Sequence, residues 1–149
     1  MKQGPERELV SRYLDRAKAA GKPLALTGFD VSEFAESRAA TADGRKADEA
    51  TTLRAALPEG IVILLDEHGK TMPSAAFSHQ LARWRDDGRQ AVSFVIGGAD
   101  GLDPAFVKSA DLTLSFSPLT WPHQLVRIML AEQLYRATTI LSGHPYHRE

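Results

Sequence analysis

The sequence closes on GHPYHRE (Gly143–Glu149), which gathers two histidines, a tyrosine, an arginine and a glutamate directly after Ser142. Chain ends usually fray and carry little chemistry, so this cluster is the first candidate for a site. His144 and His147 stand three residues apart and invite a metal reading. Two imidazoles without a third ligand do not make a zinc site, and no H-E-x-x-H helix accompanies them; no metal is expected. Upstream, Arg127 follows His123 by four residues and Arg136 follows Glu132 by four. Each pair can share a helix face, and as plain surface ion contacts such pairs are worth little. No G-x-S-x-G elbow for a serine hydrolase is found in the sequence.

Two loop-like stretches offer backbone instead of side chains. In IGGADG (Ile96–Gly101) adjacent glycines follow an apolar run, which lets the chain approach a ligand closely or adopt positive φ. The spacing G-G-x-x-G is not the dinucleotide pattern, and the Lys-Ser/Thr of a P-loop is missing. It reads equally as a glycine turn between a strand and a helix or as backbone amides around a ligand. In SPLTWPHQLVR (Ser117–Arg127), Pro118 and Pro122 stiffen the stretch that holds Leu119, Thr120 and Trp121. A rigid loop of exposed amides and carbonyls suits a planar heterocycle. The plainer alternative is a proline-bounded helix entry, with Trp121 in the core and His123 facing solvent.

The elements that must position these residues follow from periodicity. Pro5 suits a first helical turn, Leu9, Val10, Tyr13, Leu14 and Ala17 recur at helical spacing, and Gly21 marks the stop. PLALTGF (Pro23–Phe29) is a strand candidate. A polar stretch from Ser37 becomes a helix near Lys46 and runs through Leu53 and Leu57 to Pro58. IVILLD (Ile61–Asp66) is a continuous aliphatic run, the mark of a strand buried on both faces in a parallel sheet. Ser74 is placed to cap a helix carrying Phe77, Leu81 and Trp84 and ending at Gly88. AVSFVI (Ala91–Ile96) and DLTLSF (Asp111–Phe116) are further strands, separated by a short helix opened by Asp103-Pro104, and Pro122 starts the last helix. Strands alternating with helices give an α/β fold with a mostly parallel sheet and helices on both faces. Ligands of such sheets bind beyond the carboxyl ends of the strands. The expected rim is therefore built from Asp66–Lys70, Gly97–Gly101 and Ser117–Trp121.

Composition bounds the function. A length of 149 residues fits one domain, spanning 1–149 without a linker or repeat. Cysteine is absent, which removes disulfides and thiolate metal sites. The first twenty residues lack an apolar signal core, and the apolar runs fall far short of the roughly 20 residues of a membrane span. The expectation is a soluble, cytoplasmic protein with no membrane partner. A net charge of −1 gives no support to strong nonspecific nucleic-acid binding by a single chain, though a small basic patch or a site shared by two chains remains open.

FVIGGADGL, LTWPHQLVRIMLAEQLYRA and the terminal GHPYHRE together resemble the ribosomal RNA large subunit methyltransferase H family, of the SPOUT class of knotted methyltransferases. The resemblance is dense from Ile61 to Glu149; before that only GPE, RYL and RKADEA are familiar. It implies methylation of N3 of a pseudouridine in large-subunit (23S) ribosomal RNA, on the assembled ribosome, by a homodimer with a deep C-terminal trefoil knot. The cofactor implied is S-adenosyl-L-methionine, held by Leu65, Gly98 and the run Ser117, Pro118, Leu119, Thr120, Trp121 and Pro122. His123, Glu132 and Arg136 would serve methyl transfer, and Tyr146, His147 and Arg148 the RNA. The family opens with a short apolar strand ahead of the helix matching Pro5 onward, and MKQGPERE lacks it. This leaves open whether the sheet is one strand short or the native start lies elsewhere. Two other classes stay open: a different nucleotide-using transferase on the same rim, and a noncatalytic ribosome-binding module.

Overall fold

The computed structural model describes residues 4–148. The chain forms two compact units, one comprising Glu33–Thr71 with Arg89–His123, the other Met1–Ser32 with Met72–Gly88 and Gln124–Glu149.

The first unit holds the sheet. Strand β1 (Ile61–Lys70) is central, with β2 (Val92–Ile96) and β3 (Leu112–Leu114) on either side, both parallel to it. Side chains alternate across a strand, yet Ile63 and its neighbour Leu64 are both fully buried. Both faces of β1 are therefore covered, as the unbroken apolar run requires. On the Leu64 face, Ala50 of helix α2 (Ala42–Ala56), Val95 of β2 and Phe106 of helix α4 (Pro104–Ser109) form the core. Asp103 caps α4 by accepting from the amides of Ala105 and Phe106, and the Pro104 that follows is pre-set for the first turn.

Three expectations change in this unit. Helix α2 begins at Ala42 instead of Lys46, because Thr41 caps it by accepting from the Gly44 amide at 3.0 Å. It ends at Ala56, with Leu57 extended, since a residue before proline is pushed out of the helical region. The segment Asp66–Lys70 is not a loop: β1 runs through it to Lys70, and after a register shift Lys70 pairs with Leu114. Gly69 permits this. A Cβ there would lie 2.6 Å from the carbonyl oxygen of Thr113. The third strand is shorter than Asp111–Phe116, spanning Leu112–Leu114.

The second unit contains helices α1 (Pro5–Gly21), α3 (Ser74–Asp86) and α5 (His123–Ser142), the last with only its first residue in the other unit. Tyr13 of α1 meets Tyr135 of α5 with ring centroids 6.3 Å apart. Ser74 does not cap α3. Pro73 holds the cap position, and the Ser74 hydroxyl donates instead to Gln133 of α5 at 2.8 Å. The strand expected at Pro23–Phe29 does not form. Lys22–Leu24 make one 3-10 turn, and Ala25 turns left-handed at φ 59°. The Leu26 amide then donates back to the Gly21 carbonyl at 3.0 Å. A chain folded back in this way has no free ladder to offer a sheet. The strand absent ahead of α1 concerns residues 1–3 and whatever precedes them, outside the described residues. Among the described residues no helix is long and apolar enough to cross a membrane.

Candidate functional site

The rim of the sheet is held chiefly through main chain. Leu65, in the middle of β1, is buried. Beyond β3 the buried Ser115 organises the loop. Its hydroxyl lies within hydrogen-bond distance of the carbonyls of Glu67 (3.1 Å) and Ser117 (2.8 Å), donating to one at a time, and accepts from the Ser117 amide at 3.1 Å. The Ser117 hydroxyl in turn accepts from the Leu119 amide at 3.0 Å. Thr120 donates to the Glu67 carboxylate. Pro118 and Pro122 are exposed, and Leu119 and Trp121 expose 65% and 39% of their surface. Trp121 is therefore not the core residue of the plainer alternative. Gly98 lies in a tight turn closed by the Gly101 amide donating to its carbonyl at 3.0 Å.

The second cluster is built from side chains. Arg136 forks onto Glu132, one turn earlier on α5, with Nε 3.1 Å from Oε1 and Nη2 2.8 Å from Oε2. The Tyr146 hydroxyl donates to the same Oε2 at 2.8 Å. Arg136 Nη1 also lies 3.1 Å from Nδ1 of His147. A guanidinium can only donate, so Nδ1 accepts and the imidazole proton sits on Nε2. The Tyr146 ring is packed between neighbours, with the Arg136 guanidinium 5.0 Å from its centroid and the Tyr135 ring 4.7 Å away. Burial first, then the bond to Glu132, pushes the Tyr146 phenol up to about 12. The Glu132 hydrogen bond raises the Arg136 guanidinium above its ordinary value. This pair is a partly buried bidentate ion pair, stronger than the surface contact the spacing alone suggests.

Sequence comparison matches this chain over residues 1–147 to a family described as predicted SPOUT methyltransferase. Proteins called ribosomal RNA large subunit methyltransferase H from Rhodopseudomonas palustris and Brucella anthropi are 56% and 57% identical to it. Each alignment spans 99% of this chain and 93% of the relative. One from Rhizobium etli is 54% identical over the same shares. The chain belongs to the ribosomal RNA large subunit methyltransferase H family of SPOUT methyltransferases.

In this methyltransferase family member the structure unites four of the six polar residues singled out in the sequence: Glu132, Arg136, Tyr146 and His147. His123 and Arg148 are exposed and stand outside that network. His144 is used locally, its Nδ1 accepting from the Tyr146 amide at 3.1 Å. Burial lowers the Arg127 guanidinium below its usual value. Sequence reasoning missed Ser115 and Glu67, which tie the rim together, and the Tyr13–Tyr135–Tyr146 stack. Arg16 stands 5.8 and 5.9 Å over the Tyr13 and Tyr135 rings of that stack. The available signal for Ser115 was a lone serine in an apolar strand end, where a buried hydroxyl needs partners.

Proposed function

We propose that this chain uses S-adenosyl-L-methionine to methylate N3 of a pseudouridine in large-subunit ribosomal RNA on the assembled ribosome. It acts as a cytoplasmic homodimer whose single methyltransferase domain carries a deep C-terminal trefoil knot. The observation that carries this reading is the 56% identity, over 99% of the chain, to a protein whose name states methylation of large-subunit ribosomal RNA.

The rim suits the cofactor by the chemistry of its donor set. In Ser117–Pro122 the prolines carry no N–H and the Ser117 and Leu119 amides are used within the loop, so the amides of Thr120 and Trp121, with the carbonyls of the loop, are the groups suited to the edge of an adenine. Leu65 supplies apolar surface, and Gly98 brings backbone close without a side chain. Leu119 and Trp121 are exposed apolar side chains of the kind a ligand or second protomer covers. When bound, the cofactor supplies an electrophilic methyl group on a sulfonium. The parallel order β2-β1-β3 carries the chain from one side of β1 to the other between its last two strands, a crossing compatible with the knot.

The cluster is assigned the proton and the RNA. An imide N–H is a poor nucleophile until deprotonated, so a base and a counter-charge are needed. Glu132 or His123 accepts the proton. For Glu132 this requires Oε2 to exchange the Tyr146 hydroxyl for the imide N–H, because both Arg136 bonds hold the carboxylate in place. Arg136 or Arg148 stabilises the developing anion on the base, and Tyr146, His147 and Arg148 contact the RNA. The test is methyl incorporation into unmodified ribosomes against free ribosomal RNA, with the modified nucleotide mapped. Label at N3 of one pseudouridine, on ribosomes only, is the expected result; label elsewhere or only on free RNA overturns it. Full single-turnover rates in both His123→Ala and Glu132→Ala would remove the base assignment alone.

A further inference from the structure

The glycine loop is tied to helix α2 by contacts that the reading above leaves unused. Arg45, in the first turns of α2, grips Asp100 with two nitrogens: Nε donates to Oδ2 at 2.7 Å and Nη2 to Oδ1 at 3.0 Å. Its third nitrogen, Nη1, donates to the carbonyl of Ala39 at 3.1 Å. Four residues on, and so on the same helix face, Glu49 bonds the same irregular segment. Its Oε2 accepts from the Ser37 amide at 2.9 Å. Its Oε1 lies 3.0 Å from where a Cβ on Gly98 would stand. Arg45 thus holds the irregular segment 36–39 on one side and the loop Gly97–Gly101 on the other, while Glu49 ties Ser37 and lies against Gly98, where only a glycine leaves it room. The mutual hydrogen bond raises the Arg45 guanidinium and lowers the Asp100 carboxyl, so both are ionised at neutral pH.

Adjacent glycines leave a loop with more conformational freedom than any other pair of residues. A ligand held by such a loop must order it, and that entropy is subtracted from affinity. A planar fork on a carboxylate removes the freedom beforehand and fixes direction as well as distance. We propose that Arg45 is a positioning residue for the cofactor: through Asp100 it pre-orders the Gly97–Gly101 backbone, and through Ala39 it makes residues 36–39 part of the same brace. This rests on the reading of the rim as the S-adenosylmethionine site. Arg45 touches neither reacting group, so its loss appears in cofactor affinity and not in the rate at saturation.

The test uses the full chain with Arg45→Lys, Asp100→Asn and the double variant. Calorimetric titration gives cofactor Kd, and methylation of unmodified ribosomes gives KM and kcat. Each single variant is expected to raise Kd and KM about tenfold, the scale of one charge-assisted hydrogen bond, with kcat at saturation unchanged. The double variant is expected to be no worse than either single one. Folded single variants that bind like the native chain, a loss in kcat with KM unchanged, or additive losses would each overturn the proposal. Should Arg45→Lys not fold, Asp100→Asn reports the same bond; unfolding of both would make the pair a fold contact and likewise overturn it. Amide hydrogen exchange of residues 97–101, expected to quicken in Asp100→Asn, reads the brace without the cofactor. If the native chain binds no S-adenosylmethionine while this exchange still quickens, the cofactor reading fails and the brace stands.

Discussion

The α5–tail cluster and the rim of the sheet are made of different material. In the cluster, four side chains bond one another: Glu132 to Arg136 and Tyr146, and Arg136 to His147. At the rim the side chains mainly bond backbone, as Ser115 does to Glu67 and Ser117. What the cluster can offer a substrate is charge and protons at defined atoms; what the rim can offer is a shape lined by amides and carbonyls. Substitutions in the first should therefore strike the chemical step, and those in the second should strike affinity. The largest expected effect is on the cluster. Glu132→Gln keeps the shape but removes the charge that both organises Arg136 and can take a proton. Single-turnover methylation of ribosomes at saturating cofactor should fall about 100-fold or more, with S-adenosylmethionine binding by calorimetry unchanged. Equal losses in binding and rate would erase the distinction between the two regions.

Ser115→Ala probes the opposite side. The hydroxyl is 4% exposed at residue level and serves one amide and one of two carbonyls. Its removal strands buried polar groups at a cost of about 1–3 kcal/mol, measurable by urea unfolding. Much of that disorder falls on Ser117–Trp121, so cofactor KM should rise several-fold, roughly in proportion to the part of that cost borne by the loop, while kcat stays near the native value. An unchanged KM in a destabilised but folded variant would detach this loop from cofactor binding.

The same division explains what was legible beforehand. Ile61–Leu65 announces itself because a strand buried on both faces must be apolar at every position; Val92–Ile96, buried only at Val95, is still readable because Ser93 alone interrupts its apolar run, and Asp103-Pro104 announces a helix start by local chemistry. PLALTGF is misleading because its apolar content matches a strand, while its outcome is decided by the backbone of Ala25 and the return bond to Gly21. The continuation of β1 through Asp66–Lys70 depends on close approach of Thr113 to Gly69, a tertiary fact with no local trace. Within the site, Glu132 and Arg136 are readable from i,i+4 spacing. Their union with Tyr146, 14 residues from Glu132, and the pairing of Arg45 with Asp100, 55 residues away, are not. Periodicity reports which face a residue occupies; it does not report which distant partner arrives there.

The smallest expected effect separates the structural from the chemical share of the cluster. Folding lifts the Tyr146 phenol from 10.0 to about 12, first by burial and then by its bond to Glu132. A group whose folded value is raised favours the native state in its protonated form. The hydroxyl's contribution is therefore complete below pH 10 and is lost as pH climbs through about 12. Tyr146→Phe keeps the ring against Arg136 and Tyr135 but deletes the bond, which is worth about 1 kcal/mol. Urea unfolding should show the native chain ahead by that amount near neutral pH, with the gap closing as the solution becomes strongly alkaline. A gap near zero at every pH would mean that the ring, and not the hydroxyl, fastens the tail to α5. The charge relation between Tyr146 and Glu132 would then contribute nothing to how this end of the chain is held.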